Sequence, residues 1–160
     1  MMDNEHTIRQ QLIENLHGRN AHVDFDSAIA NLPDELWGKV PAELPYSVWQ
    51  LVEHVRISQW DIVEFSENPS HQSPSWPDGY WPKEITPKDA KTRDESINQV
   101  RYDLDRMISM VMDFDNSLYK PFSHGTGQNL LREAMLVANH NAYHIGQIIV
   151  VRRLLDSWPA

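Results

Sequence analysis

Apolar residues in this chain recur at every third or fourth position, and no stretch alternates apolar with polar. A repeat near 3.6 marks one face of a helix, whereas strands repeat every second residue. The spacing therefore predicts an all-α fold. Ile8, Leu12, Ile13 and Leu16 carry the period through residues 5–17, until Gly18 and Asn20 break it. Phe25, Ala28, Ile29 and Leu32 mark a short segment over 24–32, with Asp24 as its cap and Pro33 as its stop. Val48, Leu51, Val52, Val55, Ile62 and Phe65 mark a helix over about 48–66. Ser47 and Gln50 form a capping box at its start. Ile97, Val100, Leu104, Met107, Ile108 and Val111 mark the next, through about 114. Thr86-Pro87 is the expected opening, with Asp89 in the first turn. The last helix is expected from the Asn129 cap to about 156, with Glu133, Arg152 and Arg153 placed to suit its dipole. The result is four main helices around one core, with a short extra helix after the first, in a single domain over 1–160.

Two connections stand out. Residues 67–86 hold Pro69, Pro74, Pro77 and Pro82 beside Trp76, Tyr80 and Trp81. Their aromatic content argues for order, with Trp76 and Trp81 as pins. Such a loop either covers a pocket or packs on the bundle or a neighbouring subunit. Its length also permits the helices it joins to run parallel. Residues 115–129 form the second connection.

The last helix carries His140 and His144, four residues apart. On a helix they share a face, about 6 Å apart along the axis. Leu136, Val137, Ile145, Ile148 and Ile149 continue that stripe, so the imidazoles face inward and need partners. A divalent metal ion is the simplest partner. His54 falls on the buried stripe of the second main helix and supplies a natural third ligand. Glu53 and Arg56 flank it as rim charges, with Glu53 a candidate support. His6, His17, His22, His71 and His124 read as solvated, and Asp103 and Asp105 as surface charges. Gly146 lies inside the last helix at a cost of roughly 1 kcal/mol, which close approach of a neighbouring helix or of a ligand would compensate.

Composition narrows the chemistry. There is no cysteine, which excludes disulfides, thiolate ligands and a cysteine nucleophile. The net charge of −9 argues against nucleic acid and anionic membrane surfaces as partners. The polar start, Met1-Met2-Asp3-Asn4-Glu5, lacks the apolar core of a secretory signal. The longest aliphatic runs, Met135 to Ala138 and Ile148 to Val151, fall far short of the roughly 20 residues a membrane helix needs. A cytoplasmic location is expected.

Ser47-Val48-Trp49-Gln50-Leu51-Val52-Glu53-His54, the stretch Ser75 to Pro82, and Asn139-His140-Asn141-Ala142-Tyr143-His144-Ile145-Gly146-Gln147 resemble the DinB-like proteins. The resemblance implies an up-down-down-up four-helix bundle with one divalent metal on His54, His140 and His144, often as a homodimer. Three neutral imidazoles leave coordination positions open, as in catalytic rather than structural sites. Zinc or nickel suits imidazole best, with iron and manganese as further candidates. Some relatives transfer low-molecular-weight thiols to electrophiles; a thiol here would come from a cosubstrate. The HExxH pattern of metalloproteases is not met, since Asn141 stands where its Glu would be. No general base is evident, and Tyr143 and Gln147 are only near the ligands in sequence. The expected function is a metal-dependent enzyme of thiol-transferase-like or hydrolase-like type on a small molecule. The alternatives are a non-catalytic metal-containing binding or stress-response protein, and a bundle whose histidines are merely hydrogen-bonded.

Overall fold

The computed structural model describes residues 2–159, and among these there is no strand. The helices are α1 (Met2–His17), α2 (Phe25–Ile29), α3 (Val48–Glu67), α4 (Ala90–Met112) and α5 (Leu130–Leu154), with 3₁₀ turns at Asp34–Leu36 and Asp78–Tyr80. Their starts follow from local hydrogen bonding. Free amides at a helix start need acceptors, and short polar side chains supply them. Asp24 accepts from Ser27 N, and Asn129 from Arg132 N. Ser47 and Gln50 close a reciprocal capping box at α3. The Ser47 hydroxyl also donates to the Ile85 carbonyl, so this cap anchors the far end of the long connection. Gly18, at φ +68°, turns the chain out of α1.

Cross-links between helices give the topology. Gln59 of α3 meets Val100 of α4, and Glu64 and Glu67 further along α3 meet Arg106 further along α4, so these helices run parallel. The start of α3 (Val48 to Val55) packs with the end of α5 (Ile145 to Val151), while Val63 packs with Leu130, Ala134 and Val137. Hence α3 and α5 are antiparallel. Arg9 in α1 donates to Val111 O, and Leu16 lies beside Val100 and Leu104, so α1 opposes α4. The bundle is up-down-down-up, and the 22 residues between α3 and α4 provide the long return that a parallel pair requires.

The core divides into two apolar clusters. One gathers α2, the start of α3 and α4, and the end of α5; the other gathers Leu12 and Leu16 with the opposite ends. Between them lies a layer of buried polar residues: Ser58, Gln59, Asp103, Asn141 and His144. Gln59 holds this layer together. Its amide donates to Val100 O at 2.6 Å and its carbonyl accepts from Asn141 Nδ2 at 2.7 Å. Most such groups inside proteins are hydrogen-bonded.

Several expectations are corrected. Helix α4 opens at Ala90, not at Thr86-Pro87: Asp89 is the cap, accepting from Thr92 N at 2.7 Å. Thr86 instead packs against Gly38, where an added Cβ would lie 2.3 Å from the threonine Cβ. Asp103 is not a surface charge. It is fully buried, accepting from Gln99 and Arg106, because the parallel α3–α4 contact covers it. His71 and His124 are not solvated: the first bonds Asp61, and the second bonds Phe65 O at 2.7 Å between the rings of Phe65 and Phe122. Trp76 is 76% exposed and meets the Tyr80 ring of its own connection, with centroids 5.5 Å apart, so it does not pin the connection to the bundle as Trp81 does. Nothing lies within 4 Å of a Cβ built on Gly146, so no helix or ligand residue of this chain accounts for it. Arg152 does more than oppose a dipole: it is buried and donates to Ala28 O, Ala30 O and Ser157 O, tying α2 to α5.

Candidate metal centre

Helix α3 carries His54 on the face it turns to α5, and α5 carries His140 and His144 one turn apart on the face it turns back. Their ring centroids lie 5.0 Å (54 to 140), 4.5 Å (54 to 144) and 4.4 Å (140 to 144) apart. One nitrogen from each ring can be chosen so that all three lie within 4.8 Å of one another. The Nε2 atoms of His54 and His140 are 3.2 Å apart. Tetrahedral zinc, at about 2.0–2.1 Å from each imidazole nitrogen, places its ligands about 3.3 Å apart. The His54–His140 separation matches that spacing, and a His144 nitrogen lies within 4.8 Å of the chosen nitrogens of the other two.

The neighbours fix how the rings present themselves. The Tyr80 main-chain carbonyl lies 2.8 Å from His54 Nδ1. A carbonyl only accepts, so Nδ1 carries the proton and Nε2 offers its lone pair to the shared point. Gln147 Oε1 accepts from His144 Nδ1 at 2.6 Å and does the same for that ring. His140 Nδ1 is buried without a hydrogen-bond partner. An unpaired buried polar atom costs free energy, which coordination through the other nitrogen would offset.

Electrostatics keep the trio neutral. Burial first, then the His144 and His54 rings, press His140 down to about 3. Burial and the His54 ring hold His144 at about 4. Burial also lowers His54, against the opposing effect of its bond to Tyr80. Neutral imidazole is the form that binds metal. Trp81 lies flat on His54, with centroids 4.0 Å and planes 4° apart, and Tyr46 stacks behind it. Tyr143 meets His144 edge-on but is 63% exposed, so it points to solvent and not at a neighbouring helix.

The three predicted histidines thus come together, while His6, His17 and His22 stay exposed and do not join them. Glu53 is not a rim charge free to act: it is buried and held by both Nε and NH2 of Arg56. Asn141, between the ligands in sequence, faces Gln59 in the core. Sequence reasoning missed Tyr80 and Asp61. Asp61 lies seven residues after His54 on the same face of α3, a spacing that could have found it. Tyr80 acts on His54 through its backbone, which leaves no side-chain signal.

A family model described as the DinB superfamily matches residues 19–148, and the chain belongs to that superfamily. No curated protein and no solved structure matches it. No helix among the described residues is long and apolar enough to cross a membrane.

Proposed function

We propose that the chain holds one divalent metal ion on His54, His140 and His144 and acts as a metal-dependent enzyme on a small molecule, of thiol-transferase-like or hydrolase-like type. The observation that carries this reading is the convergence of three neutral imidazoles, two of them with tautomers fixed by Tyr80 and Gln147. Zinc or nickel suits an all-imidazole set best. A bound ion would supply Lewis acidity and lower the pKa of a water or thiol in its open positions. The protein's own part is to hold the three lone pairs at one point and to cover the outer face of His54 with Trp81.

The decisive measurement is elemental analysis of tag-free protein, followed by assays of the zinc- and nickel-loaded forms with electrophiles and a panel of low-molecular-weight thiols. One ion per chain is expected, lost in His54→Ala, together with turnover that His140→Ala abolishes. Turnover unchanged in His140→Ala would end the enzymatic reading.

A second reading, a metal-containing binding protein without turnover, is favoured by one observation. The carboxylate nearest His54 in sequence, Glu53, is clamped by Arg56, and the residue after His140, Asn141, is an amide with no base to offer. Stoichiometric metal with no thiol-dependent rise in melting temperature supports it.

A further inference from the structure

The connection between α3 and α4 is fastened to α3 at two heights. Asp61 lies seven residues beyond His54, close to two full turns along the same face. One of its carboxylate oxygens accepts from His71 Nε2 at 2.7 Å, and the other from the Tyr80 hydroxyl at 2.6 Å. Tyr80 is then held at both ends. Its ring is tied to Asp61, and its carbonyl accepts the His54 Nδ1 proton. The next residue, Trp81, lies on the His54 ring. Asp61 is buried and has no Lys or Arg partner among the described residues. Both its oxygens are occupied by this one connection.

We propose that Asp61 is a positioning residue for the metal centre, acting on His54 through Tyr80, and that metal occupancy and docking of the 68–82 connection stabilise each other. This rests on the three-histidine reading above. A ligating imidazole is aimed by the acceptor at its other nitrogen. For His144 that acceptor, Gln147, sits on the same helix and comes with it. For His54 it is a backbone carbonyl in a connection whose Tyr80 side chain is tied to α3 through Asp61. Burial, and then Asp61, push the Tyr80 hydroxyl up to about 12, so it stays a donor at any working pH. Linkage is reciprocal: whatever factor the docked connection adds to metal affinity, the metal adds to docking.

The test compares wild type, Asp61→Asn, Tyr80→Phe and Gln147→Leu. Zinc affinity is read by chelator competition, and amide hydrogen exchange is read across residues 70–81 with and without zinc. Asp61→Asn and Tyr80→Phe are expected to weaken zinc binding about 10-fold or more. Zinc slows exchange across 70–81 in wild type and slows it less in these two variants. Gln147→Leu also weakens binding, yet keeps the full zinc-dependent protection once saturated, which a general loss of packing would not allow. Should Asp61→Asn fail to fold, Tyr80→Phe carries the test, since it removes a single oxygen. The proposal is overturned if wild type binds zinc stoichiometrically while Tyr80→Phe stays within about twofold of it and exchange is indifferent to zinc. Absence of zinc uptake by wild type would instead defeat the metal-centre reading, and this coupling with it.

Discussion

The indole of Trp81 and the imidazole of His54 are stacked face to face, with centroids 4.0 Å and planes 4° apart. The stack shields one face of the ring and leaves its Nε2 edge directed at His140, 3.2 Å away.

Trp81 should therefore report metal binding. Adding nickel to the metal-free protein is expected to quench part of the tryptophan emission, saturating at one ion per chain. Trp81→Phe should remove most of that change while keeping the ring stack and the affinity within about a factor of a few. Quenching that is the same in Trp81→Phe would show that the ion binds elsewhere.

His140→Leu should raise the stability of the metal-free protein. Its Nδ1 is buried without a partner, and an orphaned polar atom costs about 1–3 kcal/mol. A leucine fills similar volume without that cost, and the 3.2 Å contact with His54 Nε2 that it removes offsets only part of the gain. In chelator, the melting temperature is expected to rise by about 2–4 °C per kcal/mol recovered. The same variant loses the zinc-dependent rise that wild type shows. A fall in the metal-free melting temperature would mean that the imidazole is satisfied in solution.

Acid should destabilise the metal-free fold through the histidine cluster. In the folded state His140 and His144 are held at about 3 and about 4, and His54 also lies below its usual 6.5. Unfolding returns each to about 6.5. Between those values the unfolded chain binds more protons, so stability rises with pH. The cluster's full contribution is present above about 6.5 and is lost progressively as pH falls through about 4 and then about 3. Urea melts in chelator at pH 7, 6, 5 and 4.5 read this directly, and His140→Leu should flatten the slope. A slope identical in both proteins would assign the acid sensitivity to carboxylates instead.

The polar layer makes a separate claim about stability. Gln59→Leu removes the acceptor of Asn141 Nδ2 and a donor to Val100 O. It leaves a buried amide unpaired, at an expected cost of about 1–3 kcal/mol. Adding Asn141→Leu removes the stranded group, so the double variant should lose less than the sum of the single ones. Additive losses by urea denaturation would show that the two side chains act independently.

The sequence by itself determined the helices and the trio. Period 3.6 marked every long helix, because one face of each must leave water. Ser47, Asp24 and Asn129 announced their caps, since the bonds involved are local. His140 and His144 share a face by helical geometry alone, and His54 followed from its place on the α3 stripe. Contacts between segments distant in sequence were decided only by the tertiary structure. Asp103 is buried because two parallel helices close over it, and His71 because its connection folds back to Asp61. Tyr80 supports His54 through a carbonyl, an atom that every residue carries and that no sequence pattern distinguishes. Local hydrogen bonds and periodicity are written in neighbouring residues, whereas the environment of a buried charge or an imidazole depends on which distant backbone arrives beside it.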